Sequence, residues 1–252
     1  MSEATLRFVR PMAIFAGLLV FWQGVQWVSQ APAYILPGPV AVGEVLFTRW
    51  SQLANHAWVT FAEILMGLTL GLTLGTMSAL VIASFRTMRR WLLPVLVVSQ
   101  AIPVFALAPI LVVWLGYGMA SKVVMATLII YFPVTSAFFD GLRRTEPGWL
   151  DLARTMGGGR ARVLWHMRVP AALPALGSGL RVATAVAPIG AVVGEWVGSS
   201  AGLGYLMLQA NARMQVDIMF AALFVLAVFA VTLYFAVDQL VRRAVPWQAE
   251  ER

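Results

Sequence analysis

Residues 218–237 read IMFAALFVLAVFAVTLYFAV, twenty consecutive positions without a charged side chain. At 1.5 Å per residue an α-helix of that length spans about 30 Å, the thickness of a bilayer's hydrocarbon core. Apolar residues fall on every face of such a helix. The pattern therefore fits neither an amphipathic helix on a soluble core nor the alternating ~10-residue segments of a membrane barrel. Working outward, five further apolar windows approach or meet this length, at roughly 12–28, 57–85, 91–115, 123–139 and 176–195. The 252-residue chain is 60% hydrophobic with a mean hydropathy of +0.81, outside the range of a soluble domain of that size. The expected fold class is all-α: a polytopic membrane protein with about six transmembrane helices, one domain over 1–252 without a soluble appendage, repeat or low-complexity linker.

Basic residues gather in alternate connections, and such clusters stay on the cytoplasmic side. Arg7 and Arg10 precede the first window, and Arg86, Arg89 and Arg90 lie between the second and third. Arg143 to Arg168 lie between the fourth and fifth, and Arg242, Arg243 and Arg252 follow the last. Only Arg49, Lys122 and Arg213 fall on the other side, so both termini are expected in the cytoplasm. The formal net charge of +7 follows from this flanking pattern. It does not imply nucleic-acid binding, which needs a solvent-exposed basic face. The first window carries Trp22 and Trp27 and is longer than a signal-peptide core, so it reads as an anchor. With no cysteine, disulfides, thiolate metal sites and a cysteine nucleophile are excluded together. No catalytic, metal-binding or cofactor-binding set is read from the sequence.

Several features bear on packing and on a path through the membrane. Residues 40–53 read as a short interfacial helix, either a packing strut or a substrate contact. Gly67, Gly71 and Gly75 leave one face of the second span free of side chains, for close packing within the subunit or at a dimer seam. Pro94, Pro103 and Pro109 accompany Ser99 and Gln100 in the third span, and Tyr131, Pro133, Thr135 and Ser136 occupy the fourth. Thr184, Pro188 and Gly190 repeat the mixture in the fifth. Helix breakers and small polar groups in three successive spans predict a polar path between them, simple kinking being the alternative for any single proline. Ser99, Gln100, Pro103, Tyr131, Ser136, Thr184 and Glu195 are its candidate residues.

Ionisable groups within spans need a position or a partner. Asp140 stands three and four residues from Arg143 and Arg144, and Asp238 four from Arg242. Arg181 is expected to snorkel to the cytoplasmic surface. Glu63 is expected to reach the headgroup region from the outer end of its span. Glu195 precedes the run Gly198, Gly202 and Gly204, where it would serve an external gate or a hydrogen bond that holds that loop.

The connection at about 143–175 is the largest internal loop. Glu146-Pro147 predicts a helix start and Gly157-Gly158-Gly159 its end, with Trp149, Leu152, Ala153 and Met156 on one face. A second short helix is expected over 160–169, ended by Pro170 and Pro174. Such an amphipathic pair presents an apolar ridge to a partner's groove or lies on anionic lipid.

Asp151-Leu152-Ala153, three residues, Gly157, nine residues, Met167, one residue, then Val169-Pro170 is similar to a known signature, the EAA loop of bacterial ABC importer permeases. Asp151, Ala153, Gly157, Met167, Val169 and Pro170 keep its spacing. Asp replaces Glu, Leu replaces the first Ala, Met replaces Ile and Val replaces Leu. Ile35-Leu36-Pro37-Gly38-Pro39, Ser99-Gln100-Ala101-Ile102-Pro103 and Gly194-Glu195-Trp196-Val197-Gly198 resemble the nitrate, sulfonate and taurine branch. The stretches 187–196 and 209–215 look most like permeases for hydroxymethylpyrimidine, a thiamine precursor.

The resemblance implies a type I permease architecture in a bacterial inner membrane, working as a homodimer. It further implies two ABC ATPase subunits docked on the loop and a periplasmic or lipid-anchored binding protein. Sulfonate, taurine or nitrate is the alternative cargo. The only lysine, Lys122, does not follow a phosphate-binding glycine pattern, so no P-loop can be written and ATP hydrolysis is expected in a separate subunit.

Two rivals are weaker. Gly177-Ser178-Gly179 suggests an intramembrane serine protease, but neither His56 nor His166 shares its depth and face. A secondary transporter would use unpaired carboxylates within spans, and none is read here.

Overall fold

The computed structural model describes residues 3–247. Arg252 lies outside the described residues, as do the side chains of Arg7, Ser99 and Gln100. Ten helices account for the described fold: α1 (Glu3–Ser29), α2 (Pro39–Thr48), α3 (Trp50–Ser84), α4 (Arg86–Ala101) and α5 (Val104–Leu115), then α6 (Met119–Arg143), α7 (Pro147–Thr155), α8 (Arg160–Gly198), α9 (Leu203–Ala212) and α10 (Val216–Ala244). Four of them, α3, α6, α8 and α10, are long and apolar enough to cross a bilayer. The first window falls on α1, whose apolar stretch is the shorter Ala13–Ser29. The window at 91–115 is not one helix: Pro103 disfavours the helical region for the residue before it. Ile102 is accordingly extended (φ −82°, ψ 117°), and the chain divides there into α4 and α5.

The centre of the bundle is α6, and it is gripped from two sides. A Cβ atom on Gly67 would lie 2.5 Å from the Ala126 Cβ, one on Gly71 2.5 Å from the Ile130 Cγ2, and one on Gly75 2.9 Å from the Val134 Cγ1. The three contacts advance together along both helices, so α3 and α6 run parallel. Packing within the subunit, rather than a dimer seam, uses this glycine face. On the other side a Cβ on Gly190 would meet the Ala126 Cα at 2.8 Å, and one on Gly141 the Ala175 Cβ at 2.7 Å, an antiparallel α6–α8 pair. Gly179 approaches Ala137 and Gly177 approaches Val241 in the same manner. Small-residue packing thus accounts for the Gly177-Ser178-Gly179 run, and the Ser178 hydroxyl donates to the Pro174 carbonyl of its own helix.

Connectivity gives the bundle two distinct ends. One carries α7 and the α6–α8 connection, and the other carries α2 and α9. The predicted helix at 40–53 is divided at Arg49 (φ −114°, ψ 23°) into α2 and the first turn of α3, with Val42, Val45 and Leu53 in the core. α1 is attached through Trp22, whose ring stacks on Phe220 of α10 at 5.6 Å.

Gly67→Leu or Gly71→Leu forces α3 from α6, at a cost of roughly 1–3 kcal/mol each from overpacking. Gly17→Leu on α1, where a Cβ meets nothing within 4 Å, is the tolerated control. Thermal unfolding of detergent-purified protein should place the two seam variants well below wild type and the control beside it.

Candidate functional site

The loop between α6 and α8 is built from the end of α7. Pro147 takes the first helical position, where its missing N–H is no loss. The helix ends in a left-handed turn at Gly157 (φ +75°), with the Gly157 N–H donating to the Arg154 carbonyl at 3.0 Å and the Gly158 N–H to the Ala153 carbonyl at 2.8 Å. This is the paired arrangement that closes helix C-termini. An L-residue at Gly157 costs about 1–2 kcal/mol from backbone conformation alone, although no atom lies within 4 Å of its would-be Cβ. Gly158 is the tighter position, because a Cβ there would lie 2.7 Å from the Ala153 carbonyl oxygen.

Ala153 is buried, whereas Trp149, Leu152 and Met156 are 52%, 59% and 79% exposed. Those three positions follow helical spacing and form an apolar ridge, with Trp165 of α8 also exposed. Asp151 is exposed and pairs with Arg154 at 2.8 Å, a surface contact worth little.

The second short helix expected over 160–169 is instead the start of α8. Pro170 does not end it. A wide π-helical turn at Leu164–Arg168 precedes Pro170 and takes up the missing hydrogen bond, so one 39-residue helix runs from Arg160 to Gly198. Met167 is half-buried in that turn, and Val169 and Leu164 pack against the buried cluster that includes Phe138, Phe139 and Leu142. Arg168 fastens the loop at its base: its Nε and Nη2 donate to the Leu142 carbonyl at 3.0 and 2.8 Å, closing the C-terminus of α6. Its basic residue type and place beside Val169 were legible, but its partner 26 residues away was not.

The candidate path residues whose side chains are described each have their own local setting. The Tyr131 hydroxyl donates to the Ser78 hydroxyl of α3 at 2.9 Å. Ser136 donates weakly to Pro133, and Thr184, fully buried, donates to the Leu180 carbonyl at 2.7 Å. Pro103 lies on an exposed surface with Ile102 and Phe105. A pocket between α2, α3 and α10, lined by Leu46, Phe47, Trp50, Phe224, Val225 and Val228, is apolar.

Glu195 is buried at the opposite end of the molecule from α7. Its Oε1 accepts from the Thr60 hydroxyl at 2.6 Å, and its Oε2 accepts from the backbone N–H groups of Gly204 (2.5 Å) and Tyr205 (3.3 Å). Of the two roles open to it, the hydrogen bond that holds the α8–α9 loop is formed. Thr60 in turn accepts from the Leu203 N–H at 2.7 Å, and His56 Nδ1 accepts from the Gly202 N–H at 3.1 Å.

Two expectations for charged residues are corrected here. Glu63 does not reach the headgroups: it is 1% exposed, turned inward beside Glu195, and its Oε2 has no hydrogen-bond partner. A carboxyl without a full set of partners is thus present within a span. Lys122, in the first turn of α6, is buried with its Nζ donating to the Tyr117 and Gly118 carbonyls. Asp140 forms no ion pair among the described residues, and Arg143 lies over the Phe139 ring instead. Asp238 pairs with Arg242 as expected (2.9 Å) and also takes Arg181 at 2.6 Å, so Arg181 is held by α10.

Residues 71–247 match the family described as binding-protein-dependent transport system inner membrane component, and the chain belongs to that family. It is 57% identical to a probable ABC transporter permease protein of Haemophilus influenzae, over 94% of this chain and 97% of that one. It is 37% identical to the riboflavin transport system permease protein RibX of Chloroflexus aurantiacus (92% and 87% covered). Identity is 34% with the formylaminopyrimidine transport permease protein ThiX of Halalkalibacterium halodurans (96% and 97%). Among solved structures, an inward-facing form of the MetNI methionine ABC transporter matches 79% of this chain and 98% of its own, with a TM-score of 0.69 and 20% identity, a likeness of fold. The chain is therefore a membrane-spanning permease subunit of the ABC importer class.

Arg168→Ala leaves the Leu142 carbonyl without its charged donors, a loss of about 1.5–3 kcal/mol. The α7 loop then loosens at its base. Limited proteolysis should cut within 144–159 several times faster than in wild type, with the helices of the bundle still protected.

Proposed function

We propose that this chain couples ATP hydrolysis in a separate subunit to import through the exposed ridge of α7. Trp149, Leu152 and Met156 enter a groove of the ATPase, and Asp151, Ala153, Gly157, Met167, Val169 and Pro170 shape and fasten the helix that carries them. The observation that carries this reading is the combination of a rigidly closed nine-residue helix with three large apolar side chains left exposed on it. Anionic lipid is the other occupant the sequence left open. The Gly157 turn and Arg168 favour a protein partner, because a contact that transmits force needs an element fixed to the bundle.

The working unit is two copies of this chain, two ATPases on the α7 side and a periplasmic or lipid-anchored binding protein on the α9 side. The basic residues flanking the spans support placing α7 and both termini in the cytoplasm of a bacterial inner membrane. The second copy is supported by the break at Ile102-Pro103, which lies on an exposed surface. Irregular backbone at membrane depth is tolerated only when covered by protein or lining a water-filled cavity. The path accordingly runs along this break, between the two copies. It is flanked by Ser99, Gln100 and Pro103, with Tyr131 and Ser136 behind them on α6 and Thr184 and Glu195 on α8. Closure of the ATPases would draw the two α7 helices together and tilt the bundles between inward- and outward-facing states.

The cargo is a flat nitrogen heteroaromatic, hydroxymethylpyrimidine or a related thiamine precursor. The likeness to permeases named for formylaminopyrimidine and for riboflavin supports the class, and the first of these supports the pyrimidine.

Leu152→Glu removes burial worth ~2 kcal/mol at the ridge, so affinity for the ATPase should fall about 30-fold. Co-purification and ATP-driven uptake in proteoliposomes should both drop while the variant remains inserted. Unchanged ATPase binding would refute the docking surface, and uptake that follows an ion gradient without any ATPase would refute the importer reading. Calorimetry of the cognate binding protein with hydroxymethylpyrimidine, riboflavin and taurine discriminates the cargo.

A further inference from the structure

At the end of the bundle that carries α9, four helices direct polar groups into one buried site. α3 contributes His56, Thr60 and Glu63, α6 contributes Lys122, and α8 contributes Glu195. α9 presents the N–H groups of Leu203, Gly204 and Tyr205. Glu63, Glu195, Thr60 and Lys122 are each no more than 2% exposed. Two carboxyl groups against one ammonium leave an excess negative charge in a medium that tolerates little of it.

The geometry states how that excess is removed. Glu63 stands one helical turn along α3 from Thr60, whose hydroxyl holds Glu195, so the two buried carboxyls share one site, and a single proton on one of them removes the excess. Glu195 is already saturated with donors: the Thr60 hydroxyl on Oε1 and two backbone N–H groups on Oε2. It also stands at the N-terminus of α9, where a negative charge is favoured and where Gly202 provides no side-chain cap of its own. Glu63 receives no such donors, and its Oε2 is buried without a partner. The proton therefore belongs on Glu63, and the charged carboxylate on Glu195.

We propose that Glu63 and Glu195 form a single-proton site, with the proton on Glu63, and that its occupancy latches the α8–α9 loop onto α3. With the proton in place the cluster is neutral, because Glu195 and Lys122 balance. Removing the proton sets two like charges in one site beneath the loop that both Glu195 and Thr60 hold. Lys122 is the charged group that faces the pair from α6, and its Nζ is committed to the Tyr117 and Gly118 carbonyls. His56, on α3, and Tyr205, on α9, are the other titratable neighbours. His56 accepts from Gly202 and so is neutral in the latched form. The latch rests on the proposed function only in taking this loop to face the external side.

Infrared spectroscopy and thermal unfolding of the permease alone in lipid nanodiscs test the proposal without ATPase, binding protein or cargo. Its failure would thus leave the importer reading standing. At neutral pH the E63Q-minus-wild-type difference spectrum should contain a negative C=O stretch of a protonated carboxylic acid shielded from exchange. Raising the pH should remove that band from wild type while the apparent Tm falls on the order of 5 °C, with no matching fall in E63Q. E195Q, which turns an amide nitrogen toward the donors of Thr60 or Gly204, should lower the Tm at neutral pH more than E63Q does. If E63Q does not fold, the wild-type titration decides: band and Tm falling together supports the site. A wild-type spectrum without the band, a band that survives in E63Q, or a Tm that falls with the band unchanged overturns it.

Discussion

Ala126 of α6 lies between Gly67 of α3 and Gly190 of α8, and neither glycine has room for a single added carbon. In lipid there is no hydrophobic force to drive apolar helices together, so their association depends on close van der Waals contact and on the hydrogen bonds that remain. Along the α3 seam the small residues sit on α3, and α6 fills the space they leave with Ala126, Ile130 and Val134. The arrangement fixes register as well as distance, because Gly67, Gly71 and Gly75 each face a different side chain one turn further along α6. Everything else in the molecule is referred to this triad. α7 is suspended between the ends of α6 and α8, and α9 is held against α3 and α8.

Most of this was legible in the chain. Five of the six apolar windows each fall on one helix and the sixth is split between α4 and α5, and the glycine spacing of the second named the face that packs. The start and stop of α7 could be read from Pro147 and Gly157, since both act through their own backbone. What escaped was non-local. A proline reads as a stop, and Pro170 would be one had the preceding turn not widened, which depends on how Leu164 and Val169 pack on Phe138 and Leu142. Glu63 near a span terminus reads as a snorkelling group, and only the fold reveals that Glu195, 132 positions later, turns it inward. Asp140 and Arg143 have helical spacing, yet spacing permits a pair without requiring it, and the guanidinium lies over Phe139.

The polar residues inside the spans illustrate the same limit. Thr184 and Thr135 suggested a path by composition, but a threonine in a membrane helix can satisfy its hydroxyl on the carbonyl four residues earlier. Both do so, at 2.7 Å. Their presence therefore carries little information about water or cargo. The backbone at Ile102-Pro103 carries more, because the helix is broken there and the break lies on an exposed surface.

α8 ends in two charges that each complete another helix. Arg168, near its beginning, places a cation on the C-terminal carbonyl of α6. Glu195, near its end, places an anion on the N-terminal amides of α9. Each sign matches the partial charge of the terminus it meets, so each contact gains from the helix dipole as well as from the hydrogen bonds, up to ~2 kcal/mol at partly buried sites. A rotation of α8 about its own axis would withdraw both charges at once and leave buried polar groups unpaired at the two ends. The helices it joins are thus constrained to move as one body, some 58 Å long at 1.5 Å per residue. Force applied at α7 would reach the α9 end through that body without being absorbed on the way. α5 is held by this body too, with Val112 against Gly198 of α8, which leaves the break at Ile102-Pro103 between α4 and α5 as the place where the freedom a transporter needs can lie.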